Sequence, residues 1–236
     1  MSSYQAIFFD AGFTILQISP SRDVLFQRVT HAHGLDYTLE EAQRANTAAN
    51  SFFDAHYYQP NDTWTDDAAI LAFWESFYRT ALQAVQCPAG LLEPCARDLA
   101  LLLNQNEVWR AYPEAAQVLA GLKAAGYTVG ILSDWASSLS SVLEAVGLRA
   151  HADFLVVSAV DRVAKPQPAF FRLALERAGV EPHQALMVGD NLYADIQGAA
   201  AAGIAGVLVD RAGRNHAAGV PTIRRLDELW ALLELP

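Results

Sequence analysis

The chain has 236 residues, of which 53% are hydrophobic and 18% charged, so it is no disordered segment and can bury a core of one large domain or of a core with a smaller insert. A formal net charge of −10 argues against nucleic acid or an anionic lipid surface as a partner. The apolar runs are all far shorter than the ~20 residues of a bilayer span, and MSSYQAIFFD lacks the pattern of a signal peptide, so no membrane association and a cytoplasmic location are expected.

Residues 4–10 (YQAIFFD) read as a short buried strand. Residues 18–107 show long helical patterns and no strand. One helix starts at Thr38-Leu39-Glu40-Glu41, a capping-box signature; others run over about 66–86 and 88–104. Aromatic residues are dense here and recur at helical spacing (Phe73 and Phe77, Trp74 and Tyr78), as packing residues of a small bundle do. Tyr57, Trp64 and Trp74 are candidates for lining a cleft. Cys87 and Cys95, the two cysteines of the chain, fit neither a zinc pattern nor a disulfide in a reducing compartment, and read as ordinary helix residues. From about residue 108, apolar strands (127–134, 153–159, 185–190, 205–210, and a weaker one at 222–225) alternate with helices (113–126, 138–147, 167–180, 194–203). That alternation predicts an α/β fold, a Rossmann-like parallel sheet covered on both faces. The expected division is a core of 1–17 and 108–236, with 18–107 as an inserted helical cap above the C-terminal strand ends, where such sheets bind ligands.

Four segments with chemical potential fall at strand ends. In Phe8-Phe9-Asp10-Ala11-Gly12-Phe13-Thr14 a carboxylate leaves a buried strand and enters a turn whose backbone N–H groups can cradle an anion. Ile131-Leu132-Ser133-Asp134 ends a strand in a hydroxyl. Lys165, one of only two lysines in the chain, precedes a helix in Lys165-Pro166-Gln167-Pro168, and Gly189-Asp190 is followed five residues on by Asp195. Singly, each reads as a cap, a turn former or a surface charge. Converged at one sheet edge they make a phosphoryl-transfer site. Asp10 and Asp190 would share a Mg²⁺ ion through hard oxygen ligands. Lys165 and Ser133 would stabilise phosphate, and Asp10 would attack phosphorus to give an aspartyl-phosphate.

These segments, in this order, resemble the four motifs of the haloacid dehalogenase superfamily, with the helical insert as a type 1 cap. The resemblance implies a Mg²⁺-dependent phosphatase acting on a small phosphorylated metabolite. It makes Asp10 the nucleophile, Ser133 and Lys165 catalytic, and Ala11, Gly12, Ser133, Asp134 and Lys165 phosphate-binding; the metal site is Asp10, the Gly12 carbonyl, Asp190 and Asp195. The chain is expected to be a monomer or a homodimer. One position departs from the pattern: the family's phosphatases carry a second Asp two residues after the nucleophile, as general acid/base, and here that position is Gly12. Loss of a positioned acid costs on the order of 10²–10⁴ in rate, so activity would be weak or confined to leaving groups that need no proton. The phosphonoacetaldehyde hydrolases of the family use a cap lysine, and residues 18–107 contain none. Its 2-haloacid dehalogenases attack carbon without a metal; they typically carry Ser-Asn where this chain has Gly189-Asp190, but Arg22, Arg28 or Arg44 could bind a substrate carboxylate. A third alternative is a catalytically inactive descendant that binds a phosphorylated ligand or a protein.

Overall fold

The computed structural model describes residues 4–57, 63–213 and 219–234. Six parallel strands form the main sheet in the order β5-β4-β1-β6-β7-β8: β1 (Ala6–Phe9), β4 (Thr128–Ser133), β5 (Phe154–Val157), β6 (Ala185–Gly189), β7 (Ala205–Val209) and β8 (Thr222–Ile223). β1 is central because it is apolar on both faces. Its four residues are fully buried, with Ile7 and Phe9 in one hydrophobic layer and Ala6 and Phe8 in the other. This is the period-two alternation of a strand covered twice. Burying each such Phe contributes about 1.5–3 kcal/mol. The helices of this part are α5 (Ala115–Ala124), α6 (Leu139–Ala145), α7 (Ser158–Asp161), α8 (Pro168–Ala178), α9 (Gly198–Ala201) and α10 (Leu229–Leu232). α8 stops at Gly179, whose left-handed φ of 67° a side chain would disfavour.

Four helices lie between β1 and β4: α1 (Arg22–Ala32), α2 (Leu39–Tyr57), α3 (Asp67–Ala84) and α4 (Ala89–Leu102). The Thr38–Glu41 capping box is formed in both directions: Thr38 N–H donates to Glu41 Oε2 at 2.8 Å, and Glu41 N–H to Thr38 Oγ1 at 3.2 Å. Two elements here go beyond the sequence expectation. One is α1. The other is a two-stranded antiparallel ribbon of β2 (Leu16–Ile18) and β3 (Trp109–Ala111), which ties the two ends of the helical insert together. Cys87 is a correction: it sits in the turn between α3 and α4, while Cys95 is buried in α4. The strand expected over 153–159 ends at Val157, because Ser158–Asp161 turns helical with Asp161 accepting from Val157 N–H at 2.9 Å. The helix expected over 194–203 begins as a π-helical segment, Leu192–Gln197. Among the described residues, no helix is long and apolar enough to cross a membrane.

Candidate active site

The sheet order places the chemistry. The chain leaves β1 to one side for β4 and β5 and to the other for β6, β7 and β8. The C-terminal end of β1 is therefore the topological switch point at which open α/β sheets bind ligands. Phe9 is in register with Ile131 of β4 and Val188 of β6, so Asp10 stands opposite Leu132 and Gly189, with Ser133 and Asp190 one residue further on. Asp10 N–H donates to Val188 O at 2.9 Å, which fixes the first of them to β6.

Lys165 lies beneath this row. Its ammonium donates to Asp10 Oδ1 at 2.6 Å and to Asp195 Oδ1 at 2.7 Å, and its side chain is 2% exposed. Ser133 Oγ donates to the same Asp10 oxygen at 3.4 Å. Asp195 is held twice, since its Oδ2 accepts Asn191 N–H at 3.0 Å. Asn191 in turn caps the π segment by accepting from Tyr193 and Ala194 N–H. Gly189 is obligatory in this packing: a Cβ there would collide with the Asp195 carboxylate. Thr14 Oγ1 donates to Asp190 Oδ1 at 3.4 Å. Asp10, Asp190 and Asp195 each offer an oxygen, and these oxygens lie within 4.8 Å of one another.

Three carboxylates here face one ammonium. Two like charges at this spacing repel by about 3 kcal/mol at an effective dielectric of ~20, and burial adds to the strain. Burial pushes the Asp10 carboxyl up to about 6, against the pull of Lys165 and with repulsion from Asp195. Asp190 is driven well above the carboxylate range by burial and by Asp10 and Asp195. Burial would lower the Lys165 amine, but Asp10, Asp195 and Asp134 more than offset it and hold it charged. Hard oxygen donors that resist ionisation in each other's company are what a divalent cation relieves, so the residues present fit a Mg²⁺ ion.

Above the carboxylates opens a cavity of about 430 Å³. Asp10, Gly12, Ser133, Asp134, Asp190 and Asp195 all line it. Two expected phosphate-binding residues are not on its wall: Ala11 is fully buried with its N–H turned to the Asp10 carboxylate, and Lys165 supports the carboxylates from behind. Asp134 accepts Lys165 N–H at 3.0 Å and the Tyr57 hydroxyl at 3.5 Å, and burial lifts its carboxyl to about 7 despite Lys165. Tyr57, Trp64 and Trp74 line the cavity from the helical side, as expected. Of the three arginines considered, Arg22 lines it; Arg28 does not, and Arg44 pairs with Glu40 and Glu41 on the surface.

One residue at this end of the sheet was missed from the sequence. Arg211, just beyond β7, donates to Thr14 O at 2.7 Å and to Phe13 O at 3.3 Å, pairs with Glu114 at 2.8 Å and stacks 3.3 Å over the Tyr112 ring. It clamps the turn after Asp10, in which Phe13 adopts a left-handed φ of 59°. The available signal was its position at the end of a core strand.

A family model of haloacid dehalogenase-like hydrolases matches residues 4–203. The chain belongs to the haloacid dehalogenase-like hydrolases. It is 28% identical to a phosphoserine phosphatase of Thermus thermophilus, covering 86% of this chain and 87% of that one. It is 29% identical to (S)-2-haloacid dehalogenase 1 of a Pseudomonas species, covering 100% of this chain and 96% of that one. Its fold matches that of the Bacillus subtilis hydrolase YfnB, a structure bound to magnesium, with a TM-score of 0.78 at 20% identity and coverage of 98% and 99%. This haloacid dehalogenase-like hydrolase thus has both a phosphatase and a haloacid dehalogenase among its relatives.

Proposed function

We propose that this hydrolase is a Mg²⁺-dependent phosphatase of small phosphate monoesters, with Asp10 as nucleophile. The observation that carries the reading is the cluster of Asp10, Asp190 and Asp195 against a single Lys165, a charge balance suited to a divalent cation and a phosphate together. Asp10 and Asp190 would hold the ion with the Gly12 carbonyl; Asp195, with both oxygens engaged by Lys165 and Asn191, supports from one shell further out. Bound Mg²⁺ would neutralise the substrate's phosphate and the Asp10 charge. Asp10 forms the bond to phosphorus as the ester oxygen leaves, and water then hydrolyses the aspartyl-phosphate to regenerate the carboxylate. Ser133 and the turn N–H groups hold phosphate oxygens, while Lys165 fixes the Asp10 carboxylate in place.

The insert of α1–α4 is the proposed lid. Its contact with the core has an apolar part, in which Trp64, Ile70 and Phe73 are buried with Ala136, Ala159 and Ala164, and a polar rim, in which Asp67 accepts from Ser137 N–H and Oγ at 2.7 and 2.6 Å and Asp66 pairs with Arg162 at 2.7 Å. The rim links are individually weak, so opening for substrate is set by the apolar contact around Trp64.

A second reading, metal-free attack of Asp10 on a 2-haloacid, is favoured by Arg22 on the cavity wall and by Gly12, since that reaction needs no acid there. The test is a panel of phosphate esters and 2-chloropropionate, each with magnesium and with chelator. Phosphate release that chelator abolishes supports the phosphatase; chloride release in chelator supports the dehalogenase. Silence throughout supports a descendant that binds without turnover.

A further inference from the structure

The site floor is acidic, but the walls above it are of a different kind. The lid supplies Phe53, Tyr57, Trp64 and Trp74, and the core side supplies Trp109 and Trp135. The rings form two groups. On the lid, Phe53 and Tyr57 stack at 4.7 Å and 14°, and Trp64 lies 5.3 Å from Tyr57 and 6.1 Å from Trp74. On the core side, Trp109 and Trp135 pair at 4.5 Å. Phe53, Tyr57, Trp74 and Trp135 are only half-buried, so each keeps open surface on the cavity they share. Charge is scarce on these walls. Beyond Asp134 beside Ser133, Arg22 is the one ionic side chain among the described residues on the wall, and its guanidinium sits 5.3 Å over the Phe77 ring. Asn50 and Asn104 are the other polar side chains above the floor, so a leaving group with several charges would lose more water than these walls replace, whereas a flat apolar ring would trade water for aromatic faces.

We infer that the substrates are aryl phosphate monoesters, their ring held between the lid aromatics and Trp109–Trp135 while the phosphate rests on the Asp10 floor. This rests on the phosphatase reading and names its substrate class. An independent feature agrees with it. Position 12 supplies no acid, and an aryl oxide departs as a stabilised anion without one. In the reaction Asp10 takes the phosphoryl group, the P–O(aryl) bond breaks with its electron pair going to the aryl oxide, and that oxide collects a proton from solvent.

The test separates ring binding from leaving-group acidity. Kinetic constants are measured with magnesium for 1-naphthyl phosphate, for hexafluoroisopropyl phosphate (a non-aromatic ester of a comparably acidic alcohol) and for acetyl phosphate. The expected KM is about tenfold lower for the naphthyl ester than for the hexafluoroisopropyl ester, from aromatic contacts of ordinary strength. Trp74→Ala should raise KM for the naphthyl ester by about that same tenfold and so erase the difference, with a smaller rise for acetyl phosphate, and Trp74→Phe should restore most of it. Quenching of tryptophan fluorescence by naphthylmethylphosphonate, a non-hydrolysable probe, should follow the same order in the three proteins. Equal KM for the two matched esters in the wild type, or an equal rise for all substrates in Trp74→Ala, overturns the inference and leaves the phosphatase standing. Silence on all three esters, acetyl phosphate included, removes the phosphatase and the inference with it.

Discussion

Gly12→Asp puts the account of the missing acid to a direct trial. The backbone at Gly12 is not left-handed, and a Cβ added there would meet Trp135 Cζ3 at 3.4 Å, so the new side chain fits with at most a small shift of that ring. Its carboxyl would enter the field of Asp10, Asp190 and Asp195. At about 6 Å and an effective dielectric of ~20, each like-charge pair costs about 3 kcal/mol. That repulsion holds the new carboxyl protonated, the state a general acid requires, and lowers stability in the absence of magnesium by about 1–3 kcal/mol. A partly positioned acid contributes about 10²-fold, or about 2.7 kcal/mol of barrier. The gain should fall on alkyl phosphates, whose alkoxide cannot leave unprotonated, and barely on phenyl phosphate. The assay is kcat/KM for one aryl and one alkyl phosphate in both proteins. Wild type should prefer the aryl ester steeply, and the variant should narrow that gap by up to ~10²-fold. If wild type shows no leaving-group preference and the variant gains nothing, the proton comes from another group or phosphate is not the substrate.

Asp190→Ala should abolish magnesium binding by calorimetry, since it removes one of the two carboxylates proposed to hold the ion; undiminished binding would move the metal elsewhere. Asp134→Asn keeps an acceptor for Lys165 N–H and removes a carboxyl that burial lifts to about 7. A raised carboxylate pKa makes ionisation costly in the folded state, so Asp134 destabilises progressively from about pH 4 to about pH 7 and fully above that. The variant should therefore melt higher than wild type near about pH 8, by several degrees, and much less so near about pH 5; an equal difference at both would refute the assignment. Arg211→Ala strands buried Glu114 and frees the Phe13 and Thr14 carbonyls. A loss of about 3 kcal/mol is expected, with part recovered by Glu114→Gln, and a melting shift under about 2 °C would show that the clamp bears little of the fold.

The core was legible in the sequence because its strands are continuous apolar runs and Asp10, Ser133 and Asp190 sit at or just after their ends, whereas Lys165 lies beyond β5 and α7. Once β1 is known to lie between β4 and β6, Asp10 stands opposite Leu132 and Gly189, which brings it beside Ser133 and Asp190. What escaped depends on long-range pairing. The β2–β3 ribbon is three residues long on each side, pairs Gln17 with Arg110, and has partners more than ninety positions apart, so it carries no periodic signal. α1 is polar along most of its length (RDVLFQRVTHA) and buries only Leu25, Phe26 and Thr30; its position is settled by packing in the insert. Arg211 reaches back 197 and 198 positions to Thr14 and Phe13, a contact no local pattern announces. The aromatic cavity was half legible: spacing put Trp74 on a helix, and only the fold could turn that ring toward Asp10.

The claim that phosphorus chemistry occurs on Asp10 is tested most directly by trapping. The protein is mixed with radiolabelled aryl phosphate and magnesium, quenched in acid during turnover, and digested. The account predicts label on the peptide containing Asp10, absent with chelator and absent in Asp10→Asn, which should also lack turnover. Phosphate released with no labelled protein at any time, or label retained in Asp10→Asn, would contradict it.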